Sequence, residues 1–161
     1  TVTRNQDKFI RDGAVGLINS TEGVLFIEMA ALANDGTTRR ISLTDGSSSN
    51  RTNISFSTGN NSLQCFAFVG GSLQFNLTAT LTDATAFNKI ALKYKTNDAA
   101  LWINGVEVAT DTSVTTWAAD TLTEFAFANN SSYAEQFFGK VRQFQIYKTA
   151  LTDAQLTSLT T

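Results

Sequence analysis

The sequence predicts an all-β fold in which two antiparallel sheets form a jelly-roll sandwich, with one short helix at the C-terminal end. Short apolar or alternating segments recur along the chain and are separated by runs of Gly, Asn, Asp and Ser. Between two of these segments lies Asn104-Gly105, a strong hairpin signal because both residues adopt positive φ at low cost. Many short strands joined by turns are typical of a sandwich rather than of alternating strands and helices.

Two kinds of hydrophobic pattern predict the strands. A continuous apolar run at 23–31 suits a strand that is covered on both faces. Alternation in a later segment predicts a strand that points Leu73, Phe75 and Leu77 into the core. Further strands are predicted at 39–44, 53–57, 89–95, 101–104, 106–110, 122–128 and 141–147. In the last of these the apolar residues fall out of alternation, which predicts a bulge near Arg142–Gln143.

One helix is predicted, at the end of the chain. Thr152 and Gln155 have the spacing of a capping box, in which each side chain bonds the backbone N–H of the other residue. Leu151, Leu156 and Leu159 supply a small apolar stripe. We expect this stripe to dock the helix on one of the sheets.

Charge and hydropathy argue against two classes of partner. The net charge is −2, and the densest basic groups are Arg39-Arg40 and the alternating Lys89, Lys93 and Lys95. The lysines are interpreted as a solvated strand face, so no nucleic-acid partner is expected. No apolar run reaches the roughly 18 residues needed to cross a bilayer, so we expect no membrane insertion.

The chain contains no histidine and one cysteine. The lack of histidine removes the usual proton shuttle and any Ser-His-Asp arrangement. Cys65 lies in an apolar run at 63–69, where a buried structural thiol is expected. No linker or change of composition divides the sequence, so we expect a single domain over residues 1–161.

Three segments carry a family resemblance. They are Asn88-Lys-Ile-Ala-Leu-Lys-Tyr94, Leu101-Trp-Ile-Asn-Gly-Val106 and residues 139–156, where a closing strand is followed by a short helix. In this order they resemble the laminin-G-like jelly roll of the concanavalin A-like lectin/glucanase superfamily. Residues 17–25 and 37–46 also resemble modules that are carried on bacteriophage tail and other virion-surface proteins.

The resemblance implies two sheets packed face to face with loops gathered at the rim. It implies function weakly, because the superfamily includes lectins, adhesive modules, glycoside hydrolases and lyases. Its hydrolases present closely spaced acids of the form Glu-x-Asp-x-x-Glu, a pattern that does not occur here. We therefore predict that the chain is not an enzyme. Glu28 is the acid expected to be partly buried, as a hydrogen-bonded carboxylate or as a group with a raised pKa.

A sugar site is predicted in the loops. Protein sugar sites pair an aromatic ring with planar amide, carboxylate or guanidinium groups that bond to hydroxyls. The candidates are Trp117, Tyr133, Asn97, Asp98 and Asn130. The alternative for Trp117 is an aromatic plug at the end of the sandwich, and Trp102 is interpreted as a residue that packs on a sheet face.

Calcium is the metal that the resemblance implies, bound at the rim by oxygen ligands. The candidate ligands are Asp35, Asp45, Asp98 and Asp111. Their spacing fits no specific metal motif, and the alternative is that each aspartate caps the backbone of its own turn. No cofactor other than calcium is predicted.

The leading hypothesis is a non-catalytic carbohydrate- or receptor-binding module of a phage tail or another surface adhesion protein. Its partner would be a surface glycan or a cell-surface receptor, and its location the virion surface or the extracellular space. The alternative is a structural module that decorates a virion or oligomerises a fibre, as a homotrimer, without a sugar ligand. That alternative predicts that Phe137-Phe138, together with Trp117, forms an apolar patch buried between subunits.

Overall fold

The computed structural model describes residues 9–130, 132 and 134–161. These residues form eleven strands and one helix. In chain order the elements are β1 (Ile10–Arg11), β2 (Glu22–Ala31), β3 (Arg39–Thr44), β4 (Arg51–Phe56), β5 (Ser62–Val69), β6 (Ser72–Thr80), β7 (Asn88–Lys95), β8 (Ala99–Ile103), β9 (Val106–Asp111), β10 (Glu124–Ala126), β11 (Gly139–Tyr147) and α1 (Asp153–Thr160).

The strands form two antiparallel sheets. Sheet A has the order β1-β10-β3-β4-β5-β6, and sheet B has the order β11-β2-β7-β8-β9. Every described pair of neighbouring strands is antiparallel. This arrangement, with one short C-terminal helix, confirms the predicted fold class.

The main core lies between the two sheets. Ile41 and Ile54 of sheet A and Leu25 and Ile27 of sheet B are each 0% exposed. Cys65 is also completely buried among them, and burial raises the pKa of its thiol, so it behaves as a small apolar side chain. The structure therefore places the cysteine in the structural role that its apolar surroundings predict.

A smaller core lies on the outer face of sheet B, under the helix. Val24 and Phe26 of β2 point to this side and pack with Trp102 and Leu156. The apolar run of β2 is continuous because alternate residues face sheet A on one side and the helix on the other. The predicted capping box is present, with the Thr152 hydroxyl accepting from the Gln155 N–H and the Gln155 side chain accepting from the Thr152 N–H.

The central hairpin and the predicted bulge are both observed. Asn104 and Gly105 have φ values of 49° and 86° between β8 and β9. The Asn104 side-chain oxygen also accepts from the Lys89 N–H at 2.9 Å, which ties the turn to β7. The register between β11 and β2 shifts between Val141 and Gln143, as the broken alternation predicts. No helix in the described part of the chain is long and apolar enough to span a membrane.

Two predictions about side-chain direction are wrong. Leu73 is 54% exposed rather than buried, because a register shift between β5 and β6 pairs Ala67 with Phe75 but Phe68 with Leu73. The extra residue on β6 turns Leu73 to the outer face. Lys93 is not a solvated lysine, because it is 6% exposed and its ammonium lies 2.6 Å from an Asp98 carboxylate oxygen.

Candidate functional site

Trp117 lies in the core rather than in an open loop. It is 3% exposed, and its indole N–H donates to the Phe68 carbonyl at 2.8 Å. Its ring meets the Tyr94 ring edge to face, with centroids 5.8 Å apart. The exposed stacking surface expected of Trp117 is therefore absent, because the indole is almost completely buried. This placement agrees with the alternative interpretation of Trp117 as an aromatic plug.

The other predicted sugar-binding residues do not come together. Asn97 and Asp98 lie in the turn after β7, and the end of β7 pairs with the start of β2. The Asp98 carboxylate forms an ion pair with Lys93. Asn130 follows β10 and is 6% exposed, and its side-chain oxygen accepts from the Ser132 N–H at 2.9 Å. Since β10 runs antiparallel to β3, Asn130 lies towards the start of β3, at the opposite end of the sandwich from Asn97. Tyr133 lies outside the described residues.

Each of the four predicted calcium ligands is engaged in or beside its own turn. The Asp35 carboxylate accepts a hydrogen bond from Arg39 Nη2 at 2.8 Å. The hydrogen bond from the Thr37 N–H, and after it the one from Arg39, lowers the pKa of this carboxyl. Asp45 accepts from the Ser47 N–H at 2.8 Å. Asp111 accepts from the Ser113 N–H at 2.9 Å, and Asp98 forms the ion pair with Lys93.

The four aspartates also do not form one metal site. Asp35 precedes β3 and Asp45 follows it, so about six residues of extended strand, roughly 20 Å, lie between them. Among the described residues, no group of three or more His, Cys, Asp or Glu side chains could hold a metal ion. Calcium binding by fewer of these side chains together with backbone carbonyls stays a prediction.

A different surface gathers chemically suitable residues, namely the outer face of sheet A. The strand register places the side chains of Ser42, Asn53, Phe66 and Asn76 in one row across β3 to β6. The adjacent rows add Arg51, Phe68 and Leu73 on one side and Arg40, Ser55 and Gln64 on the other. We call these residues the sheet A face.

Two arginines and two phenylalanines form the centre of the sheet A face. The Arg40 guanidinium lies 4.7 Å from the centre of the Phe66 ring, and the Arg51 guanidinium lies 5.3 Å from it. Arg51 also lies 4.9 Å from the Phe68 ring centre. Phe66 is 6% exposed, whereas Phe68 is half-buried and presents ring surface beside a shallow pocket. Cation–π contacts of this kind fix the guanidinium groups in place.

The two arginines differ in their pairing. Arg40 Nε lies 2.8 Å from a Glu135 carboxylate oxygen. Arg51 Nη1 donates to the Ser48 carbonyl, and among the described residues no carboxylate lies within ion-pair distance of Arg51. Burial and then the charge of Arg40 lower the pKa of Arg51. Both guanidinium groups stay protonated at neutral pH, because arginine starts from a very high pKa.

Asn53 is the most unusual residue of the sheet A face. It is 0% exposed, yet its side-chain oxygen and nitrogen both lack a hydrogen-bond partner. It points away from the core, because its neighbours Thr52 and Ile54 face inward. A buried polar atom without a partner costs about 1–3 kcal/mol. An unsatisfied buried amide calls for an explanation such as a water or a ligand. Because Asn53 is 0% exposed, a ligand reaches its amide only if the covering side chains move.

The sequence itself carries a signal for part of this face. Alternation in Arg51-Thr-Asn-Ile-Ser-Phe56 places Arg51, Asn53 and Ser55 opposite the apolar Ile54 and Phe56. The pattern gives the direction of these side chains. It does not show that all three are at least nine-tenths buried, which follows from their neighbours on β3 and β5.

The fold and sequence also match known proteins. Residues 25–157 match the model of the concanavalin A-like lectin/glucanases superfamily. The chain belongs to this superfamily. The resemblance stated from the three sequence segments is thereby confirmed at that level. A search of curated protein sequences gives no significant match.

Several solved structures share the fold of this superfamily member. The CBM40 module of a Ruminococcus gnavus IT-sialidase, bound to α2,3 sialyllactose, has a TM-score of 0.71 at 18% identity, with 92% of this chain and 86% of that chain covered. Domain 4 of an extracellular Geobacillus stearothermophilus arabinanase, in complex with arabinotriose, has a TM-score of 0.66 at 18% identity, covering 96% and 71%. A pentraxin from Limulus polyphemus has a TM-score of 0.65 at 12% identity, with 90% of this chain and 72% of that chain covered. At these identities the likeness shows the fold alone.

Proposed function

We propose that this chain is a non-catalytic carbohydrate-binding module whose ligand lies on the sheet A face. The observation that carries the proposal is a shallow pocket on that face, lined by Arg51, Phe68 and Asn76 among others. The unpartnered but fully covered amide of Asn53 lies next to Phe66 in the strand register. A sugar hydroxyl both donates and accepts, so it matches the free nitrogen and oxygen of an amide. Phe68 and Leu73 line the shallow pocket on this face and supply apolar surface for sugar C–H groups.

The sugars bound in two neighbouring structures support a sugar as the ligand of this chain. One neighbouring module was solved with sialyllactose and another with arabinotriose. Another neighbour, the binding domain of a botulinum neurotoxin, was solved in complex with rat synaptotagmin II, so a protein receptor is also compatible with the fold. We place the module on a phage tail or another surface adhesion protein, at the virion surface or outside the cell. The support for this location is the sequence resemblance of residues 17–25 and 37–46.

A structural role remains the second candidate, because one apolar groove is open. Phe9 and Phe138 are 62% and 58% exposed and line this groove with Phe127 and Val141. Phe137 also lines this groove, while its ring stacks on Phe56 with centroids 6.1 Å apart. A fibre or decoration module would bury the groove between subunits. Sedimentation of the chain at micromolar concentration tests this candidate, and a monomer would count against it.

A glycan array with the purified chain tests the carbohydrate proposal, run once with calcium and once with EDTA. Saturable binding to a defined glycan supports it, and loss in EDTA would assign calcium to the site. The variants Gln64→Ala and Asn76→Ala remove a pair of amides joined by a 2.9 Å hydrogen bond at the margin of the sheet A face. We expect each to weaken binding by about 0.5–1.5 kcal/mol.

The matched control is Gln143→Ala, an exposed glutamine on β11 of sheet B. It is expected to bind the glycan like the unmodified chain. If all three variants bind equally, the ligand does not lie on the sheet A face. If no glycan binds, including bacterial polysaccharides, the carbohydrate proposal is rejected and the structural candidate takes its place.

A further inference from the structure

We infer that the ligand of the sheet A face is an acidic glycan, in which a sugar carries a carboxylate or another oxyanion. The inference rests on the proposed function and adds the charge of the ligand to it. Its basis is the unequal pairing of the two arginines on this face. One of them has a carboxylate partner within the protein, and the other lacks one.

Arg40 is already neutralised by the protein. Its Nε and Nη2 atoms lie 2.8 Å and 3.2 Å from the two carboxylate oxygens of Glu135. This ion pair, with one hydrogen bond from Nη2, fixes the Arg40 guanidinium beside Phe66. A ligand that bound Arg40 would have to compete with Glu135 for it. The anionic group of the ligand is therefore assigned to the other arginine.

Arg51 is a buried cation without a counter-ion among the described residues. It is 9% exposed, its Nε lacks a hydrogen-bond partner, and its described polar contact is the bond from Nη1 to the Ser48 carbonyl. Burying a charge is costly unless it is paired and hydrogen-bonded. An oxyanion that accepts from the free donors of Arg51 removes this cost, and the planar guanidinium suits a carboxylate well.

The immediate surroundings strengthen the attraction for an anion. Both guanidinium groups contact the same Phe66 ring, so the positive charge of Arg40 acts on Arg51 across one aromatic side chain. Glu135 offsets one of these two charges, which leaves a net positive site. The chain as a whole carries a net charge of −2. Attraction at this site is therefore local rather than a general affinity for polyanions.

The spacing to Asn53 suits a sugar acid better than a small free anion. Arg51 and Asn53 are two residues apart on the same face of β4, a separation of about 6–7 Å. One sugar ring bridges such a distance, with its acidic group on Arg51 and, once the side chains that cover the 0% exposed Asn53 move aside, a hydroxyl or acetamido group on the Asn53 amide. Arg51 Nε and the Asn53 amide then both acquire a partner from one ligand, whereas Arg40 Nε, which also lacks a hydrogen bond, faces Glu135.

The test compares glycans with and without an acidic group. Calorimetric titration of the unmodified chain would use three pairs of probes: sialyllactose and lactose, oligogalacturonate and its methyl ester, and sulfated lactose and lactose. We expect an acidic member to bind at least about tenfold more tightly than its neutral partner, since a hydrogen bond to a charged group contributes about 1.5–3 kcal/mol. The sulfated pair separates a carboxylate requirement from a general oxyanion requirement.

The variant Arg51→Gln then assigns this preference to one side chain. We expect it to lose about tenfold or more in affinity for the acidic probe and little for the neutral one. The matched control is Arg142→Gln on β11 of sheet B, where an arginine with a 61% exposed side chain lies 3.1 Å from Glu28. This control is expected to keep the preference. The comparison of charged and neutral probes on the unmodified chain remains decisive even if Arg51→Gln does not fold.

The outcomes for the two proposals are distinguishable. If neutral and acidic probes bind with equal affinity, the acidic-ligand inference is overturned while the carbohydrate-binding function stands. If the preference persists in Arg51→Gln, the acidic group binds elsewhere and the inference is also overturned. If no glycan of any charge binds, the proposed function fails, and the inference fails with it.

Discussion

Replacing Asn53 with valine is expected to stabilise the fold and to abolish ligand binding at the same time. Asn53 is completely buried in β4, with neither polar atom of its side chain hydrogen-bonded. Valine has a similar size, carries no polar atom and favours strands. The substitution therefore removes a cost of folding. It also removes the donor and acceptor that we assign to the sugar.

The structure sets the size of the expected gain in stability. Each unpartnered buried polar atom costs about 1–3 kcal/mol, and Asn53 has two of them. Imperfect packing of the new side chain offsets part of this gain, because buried positions tolerate changes of shape only at some cost. We expect a net increase of about 1–3 kcal/mol in the free energy of unfolding. For a chain of this length, each kcal/mol corresponds to about 2–4 °C in Tm.

Urea unfolding and calorimetry measure the effect, with Ser55→Val as the matched control. Ser55 lies two residues further on the same face and is also 0% exposed, but its hydroxyl donates to the Gln64 carbonyl at 2.8 Å. Valine at this position breaks a hydrogen bond that exists, so this variant is expected to lose rather than gain stability. The same experiments with ligand present should raise the Tm of the unmodified chain and leave that of Asn53→Val unchanged.

A loss of more than about 1 kcal/mol in Asn53→Val would refute this reasoning, because it would show that the Asn53 amide has favourable partners. Retained ligand binding in a stable Asn53→Val would refute the assignment of the amide to the site. The two results are independent. Stability therefore tests the buried amide, and binding tests its role.

Three further predictions concern residues that do not belong to the sheet A face. Burial, and after it the charges of Asp12 and Asp45, raises the pKa of Glu124. The folded state therefore favours the protonated carboxyl, and the stability this gives is lost as the pH rises through the raised pKa. The variant Glu124→Gln is expected to be more stable than the unmodified chain at pH 7 and to lose this advantage in acid, as followed by Tm against pH. Thr152→Ala removes the capping box and is expected to cost about 0.5–2 kcal/mol in urea unfolding, whereas Thr157→Ala within the same helix should cost less. Cys65 is buried and its thiol pKa is raised, so a thiol reagent at pH 8 should label it only after denaturant is added; labelling of the native chain would show that sheet A opens at β5.

The strands were predictable because their side chains obey local rules. Alternation at 89–95 and the Asn104-Gly105 pair act within a few residues, and the structure reproduces them. Leu73 was misplaced because its direction depends on a register shift opposite Ala67, a property of two strands rather than of one. Lys93 was misplaced because its burial depends on Asp98 and on Asp153 of the C-terminal helix, 3.6 Å away.

The candidate site was less predictable for a related reason. Loop position and residue type favoured Trp117, yet the indole packs on Tyr94 and bonds Phe68, contacts that join distant parts of the chain. The sheet A face is assembled from β3, β4, β5 and β6, and no single segment contains its chemistry. Even the orientation of Asn53, which alternation gives, does not show that its amide lacks partners. That property depends on what the neighbouring strands place around it.

The two sheets differ in what covers their outer faces, and this difference places the site. Val24 and Phe26 make the outer face of sheet B apolar, and the helix covers it through Leu156. In β4 of sheet A the corresponding outward positions are Arg51 and Asn53, which remain buried yet incompletely bonded. A solvated face would use exposed polar residues with water as their partner, and a structural face would use apolar ones. The Arg51 guanidinium is held against the Phe66 and Phe68 rings before a ligand arrives, so less ordering of this side chain is needed when the ligand binds.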